Sequence, residues 1–377
     1  MKDIFRFVGM GALLAVVLGV GAMTVSAQDP CEDYDGNAEL DTKIRENYPK
    51  DETLHIAIDA SKQYLEKYGA CEPFKDFGDW VKAQLPGWEE AKKKYDERVK
   101  LGKLFASFDD GIKGKSYDGT YAAGKEILAK QPDNLNIMVP LGLIGLYQSF
   151  QGNNKYSTDA IAYSKSAVQK LKAGAKSTKP NGNYGAFEFE RSKEEAISEL
   201  TYGIAHLTYY VNKDRKNALP YYYEAAQLPG SYKDEPRLYT TLGAYYLEQA
   251  APIGQEISAL IKKIEVTEDD DEKLKIDADV KAKVALFNGY MDRAIDSFSR
   301  AYAVADESIP ADKTLKAEVY EELKGLWERR GKKDGLDKHI ASVPSSPLPN
   351  PTSEVQPAAD PEPDANASGD NTTGSGN

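Results

Sequence analysis

Apolar residues recur roughly every three to four positions through nearly all of the interior of the chain, the period of a helix with one buried face, and very little alternates as a strand would. The stretch from Leu101 to Asn134 shows the pattern. Leu104, Phe105 and Phe108 mark one amphipathic helix, Gly111 and Gly114 a turn, and Tyr117-Asp118 the start of a second helix. That second helix continues through Tyr121, Ala122, Ile127 and Leu128 and is closed by Pro132-Asp133-Asn134. Upstream, the spacing predicts helices near 40–48 and 53–68. Downstream, a last hairpin over 313–340 places Tyr320, Leu323, Leu326 and Trp327 on one face. Between them, 250–290 is apolar at Ile257, Leu260, Ile261 and Ile264, turns at Glu268-Asp269-Asp270-Asp271, and resumes at Leu274, Ile276, Val280 and Val284. It reads as two helices extended into a protruding hairpin. The expected fold class is all-α.

The two ends break the pattern. Lys2 and Arg6 precede an apolar run over 7–25 that ends Val25-Ser26-Ala27, the small-residue pattern read by a signal peptidase. Residues 1–27 are therefore expected to be a signal peptide, with the mature chain starting near Gln28 and lying in the periplasm or outside the cell. The competing expectation is an uncleaved N-terminal anchor, because ~20 apolar residues suffice to span a bilayer. Residues 343–377 hold seven Pro, five acids, no Lys or Arg and no aromatic. So little apolar surface does not offset the entropy of ordering a chain, and the segment is expected to be a disordered tail.

Composition narrows the function classes. The 377 residues carry 60 Asp and Glu against 48 Lys and Arg, a net charge of -12, which lacks the basic footprint of a general nucleic-acid binder. Three His and two Cys leave little material for a zinc site or a thiol–imidazole centre. Cys31 and Cys71 are an even pair in a chain expected to meet an oxidising compartment, so a single disulfide within an N-terminal helical cap over 28–100 is the simplest assignment, a free thiol the alternative. The unusual figure is 24 Tyr against 11 Phe and 3 Trp.

A repeat underlies the interior. Leu141-Gly142 precedes Ala160, Ser164 and Ala167; Tyr202-Gly203 precedes Ala218, Tyr222 and Ala225; Tyr239-x2-Leu242-Gly243-x2-Tyr246 precedes Ala294-x3-Phe298-x2-Ala301. With Leu101 to Asn134 as a 34-residue unit, the set resembles the tetratricopeptide repeat (TPR) family, in exported bacterial form. Ser164 stands where that family has an aromatic, and the 250–290 insertion is a further departure. The resemblance implies a solenoid of stacked antiparallel helix hairpins over 101–342. It also implies a concave groove, lined by the first helix of each hairpin, that takes a protein or peptide partner. Carried onto this chain, the groove candidates are Tyr147, Gln148, Tyr209, Arg237, Thr240, Thr241 and Glu248. The Lys/Asn set with which chaperone-tail-binding members clamp a terminal carboxylate is missing.

Nothing points to catalysis. His55, His206 and His339 are far apart in sequence, and no nucleophile elbow, HExxH helix or phosphate-binding loop is present. No catalytic residue, cofactor or metal is expected. The tyrosines cluster as Tyr209-Tyr210, Tyr221-Tyr222-Tyr223 and Tyr245-Tyr246; neighbours on a helix point ~100° apart, so each cluster must send at least one ring outward. The expected function is a non-enzymatic exported scaffold for protein or peptide partners. The alternative is a glycan-binding envelope protein that stacks sugars on its Tyr-rich faces.

Overall fold

The computed structural model describes residues 29–359. The proposed signal segment and the chain from 360 onward lie outside them. Twelve α-helices and no strand longer than the single bridge between Tyr184 and Arg191 occur among the described residues, so the chain is all-α. No described helix is long and apolar enough to cross a membrane. The chain divides into two compact units, the first ending at Gly102 and the second starting at Lys103.

In the first unit, α1 (Tyr34–Asn47) and α2 (Leu54–Tyr68) are followed by α3 (Lys75–Lys113), whose last residues belong to the second unit. Ile44, Tyr64, Tyr68, Phe74 and Val81 form its core. Cys31 and Cys71 are bonded, with their Cα atoms 5.2 Å apart, tying the segment before α1 to the one after α2. Asp33 ties the same two places. It caps α1 through the Gly36 amide at 3.0 Å and accepts from Lys67 Nζ at 2.7 Å and Tyr68 Oη at 2.6 Å, both at the end of α2.

In the second unit, α4 (Tyr117–Lys130), α5 (Leu135–Phe150), α6 (Ser157–Lys172), α7 (Lys193–His206) and α8 (Arg215–Ala225) follow, closely spaced except for the long connection 173–192 between α6 and α7. They lead into the long pair α9 (Pro236–Val266) and α10 (Asp270–Val304), then α11 (Pro310–Arg329) and α12 (Leu336–Ser342). Short connections make neighbours antiparallel. Each of α5 to α8 packs on the next, α9 packs along α10, and α5 also touches α7. The Gly and Ala positions of the repeated sequence sit where helices meet. Gly243 lies against the Phe298 ring, which a Cβ there would approach to 2.8 Å, and Gly145 lies against Ala160. Ser164, in the slot expected to be aromatic, is buried beside Gly142, where an added Cβ would meet both Ser164 and Leu200. Tyr121 and Tyr156 stack nearby at 4.5 Å.

The tail expectation is corrected over 343–359. Val343 and Val355 are buried, and the extended chain is gripped by arginines. Arg300 donates to the Ser346 carbonyl at 2.8 Å, and Arg293 to the carbonyls of Asn350, Ser353 and Glu354 at 2.8–3.1 Å. Arg330 donates to that of Ala359 at 3.2 Å. The Ala358 amide donates to the Ala285 carbonyl on α10, and Gly289 leaves room for the Gln356 backbone. Composition missed this because the segment brings little apolar surface of its own; the body supplies the donors.

Candidate functional site

Two cavities of the second unit share Tyr232 and Glu235. The first, about 570 Å³, is walled by Phe150 from the end of α5, Tyr202 and His206 from α7, Tyr210, and Tyr232, with Arg237 at its rim. The rings form a continuous run. Tyr202 meets Tyr232 at 4.3 Å and His206 at 6.0 Å, and His206 meets Phe150 at 4.8 Å and Tyr210 at 4.9 Å. Phe150 is 50% exposed and Tyr210 43%, so the run opens outward.

Local structure sets the phase of these rings. After His206 the helix widens into a π-turn, Leu207–Val211. Such a turn shifts the faces of the residues that follow it, and it recurs at functional sites. Tyr209 is turned into the core, beside Tyr222 at 5.9 Å, while Tyr210 faces the cavity. Thr241 Oγ1 donates to the Arg237 carbonyl at 2.7 Å, which leaves it to accept from Tyr210 Oη at 2.9 Å. Tyr232 belongs to a short 3-10 turn, Ser231–Asp234, held by Tyr239 Oη on the Lys233 carbonyl at 2.7 Å.

The second cavity, about 610 Å³, lies between Tyr147 on α5, Glu195 and Glu199 on α7, the Tyr232 turn, and Asp306 and Asp312 next to and on α11. Glu199 is almost fully buried and accepts from Arg191 Nε at 2.6 Å and from the Tyr147 hydroxyl. Burial, and then the Glu199 carboxylate, push the Tyr147 hydroxyl up to about 12. Arg237 lies between Glu235 at 3.1 Å and Asp312 at 3.7 Å.

His206 is the one imidazole at the site. Burial alone pushes it down to about 4, and its Nδ1 is buried without a hydrogen-bond partner. Its Nδ1 lacks the carboxylate partner that orients the imidazole of a catalytic dyad. No cluster of three His, Cys, Asp or Glu able to hold a metal occurs among the described residues.

Of the groove candidates, Tyr147 and Arg237 line these cavities. Thr241 stands behind the wall and positions Tyr210. Tyr209 is corrected to a core residue, packed in the same cluster as Tyr202, Ala218 and Tyr222. Gln148 braces the turn after α5 through Gln151 and Asn153, Thr240 bonds the Arg237 carbonyl, and Glu248 pairs with Arg215. Sequence reasoning passed over Phe150, Tyr202, Tyr210 and Tyr232 as site residues. The doublet Tyr209-Tyr210 was the available signal, with its phase unassigned.

Compared with known proteins, the chain matches no family model, no curated protein and no solved structure.

Proposed function

We propose that the chain is a non-enzymatic exported scaffold with a TPR-type solenoid that binds a protein or peptide segment in the groove formed by the two joined cavities. The observation that carries this reading is that α5, α7 and the turn leading into α9 bring aromatic and acidic side chains to two adjoining cavities, closed on the other side by residues next to and on α11. A neutral His206 with no partner on its Nδ1 favours binding over catalysis. The disulfide fits export to an oxidising compartment, and the apolar run over 7–25 fits a cleaved signal or an anchor.

The test is affinity capture from envelope extract with tagged protein beside a Phe150→Ala/Tyr210→Ala variant. Both rings are half-exposed, so the variant keeps its core. A protein retained by the parent and lost by the variant supports the reading; identical capture by both overturns the groove as the site. A second reading, glycan binding, is favoured by the exposed faces of Phe150 and Tyr210. Micromolar binding on a glycan array, lost in the same variant, would establish it instead.

A further inference from the structure

The charges along the groove are lopsided. Glu195, Glu199, Asp234, Glu235, Asp306 and Asp312 line the second cavity, with Arg191 as the only cation in its wall. Arg191 is committed to Glu199, and that pair is closed. Arg237 is shared between Glu235 and Asp312, and Lys233 reaches Asp234 only at 3.8 Å. Lys316, which also bears on Asp306, is bonded to Glu307 at 3.0 Å. Glu195 accepts from the Ser231 amide and hydroxyl, and Asp306 from the Ser308 amide at 2.8 Å. Those neutral donors order the carboxylates without cancelling their charge. A concave wall of one sign focuses its field outward.

The aromatic cavity adds one cation, Arg237, which is already shared between Glu235 and Asp312. His206 is uncharged at neutral pH, and ring faces themselves attract cations. The two cavities share Tyr232 and Glu235 and so adjoin. On an extended peptide, side chains two positions apart project to the same side about 7 Å apart, so such a pair can enter two adjoining cavities.

We infer that the groove selects a basic peptide segment in which an aromatic or large aliphatic side chain sits on the Phe150–Tyr202–Tyr210 wall and a Lys or Arg two positions away sits among Glu195, Asp234 and Glu235. This rests on the reading of the groove as a peptide site. It excludes acidic tails and nucleic acid from the same lane, because both would meet the carboxylates.

The experiment is a positional-scanning hexapeptide array probed with the full chain, and with a Glu195→Gln/Asp234→Asn variant whose thermal unfolding matches the parent. Both positions are at the rim, clear of the core. The expected result is enrichment of Trp, Tyr, Phe or Leu with Lys or Arg two positions away. Each lost rim charge weakens such an interaction severalfold, so the double variant should bind about three- to tenfold more weakly. Raising salt from roughly 0.1 M to roughly 0.5 M should weaken the parent by a similar factor. Peptides retained through the aromatic cavity without preference for basic residues, with parent and variant alike, overturn the charge selection and leave the peptide site standing. Retention of no peptide above the level of Phe150→Ala/Tyr210→Ala overturns both.

Discussion

Arg191 and Glu199, eight residues apart, form an ion pair at 2.6 Å in the wall of the larger cavity, with the Tyr147 hydroxyl completing it. Removing one partner of a buried pair strands the other charge, which costs about 3–5 kcal/mol. Glu199→Ala should lower stability in urea unfolding by that order. The double change Glu199→Leu/Arg191→Leu should lose less, since no charge is left unpaired.

The disulfide and Asp33 close the same junction of the first unit, and the two effects separate by chemistry. The bridge spans 40 residues of sequence, which the chain-entropy relation values at about 4 kcal/mol. Reduction should lower the unfolding temperature of the parent and leave a Cys31→Ser/Cys71→Ser variant unchanged.

Asp33 supplies a pH signature. The Lys67 ammonium, then the Tyr68 hydroxyl and Gly36 amide, hold its carboxyl down from 3.8 to about 2. A depressed carboxyl stabilises above its unfolded value and loses that contribution as pH falls through the folded one. Stability should therefore fall between pH 3.8 and about 2, and Asp33→Asn should remove part of that slope in melts across the interval.

His206 acts at higher pH with the same sign. Its folded value near 4 lies below the ordinary 6.5, so the unfolded chain binds the proton first. The stability tied to neutral His206 is complete above 6.5 and is lost as pH falls toward 4. His206→Phe should flatten the stability–pH curve in that window, and ligand binding there should fall with the parent's stability rather than follow a catalytic bell.

The strap over 343–359 should come off before the body unfolds. A Cβ at Gly289 would collide with the Gln356 backbone, and Arg293→Ala removes donors to three carbonyls. Either Gly289→Ala or Arg293→Ala should raise hydrogen exchange at the Ala358 amide by an order of magnitude or more while α5 and α7 amides keep their protection.

Helix period made the elements legible, and the Gly and Ala positions marked where helices approach, as Gly243 against Phe298 shows. Such contacts are local in pattern and constrained in size, so they leave a sequence trace. The site left less. Tyr209 is buried and Tyr210 is exposed within a π-turn, a change of winding that an assumed constant period cannot express. Tyr232 sits in an interhelix turn where periodicity says nothing. Arginines on α10 and at the residue after α11 hold a strap that its own composition gives no reason to order.

That strap is held by its carbonyls, at Ser346, at Asn350 to Glu354, and at Ala359. Carbonyls are common to every residue type, so the grip reads spacing instead of side-chain identity. Apart from the buried Val343, Pro351 and Val355 side chains and the Ser353 hydroxyl that Arg293 also grips, the segment can drift in sequence while its length between the arginines is fixed. One inserted or deleted residue would put the grips out of register, as a missing tooth does in a zip.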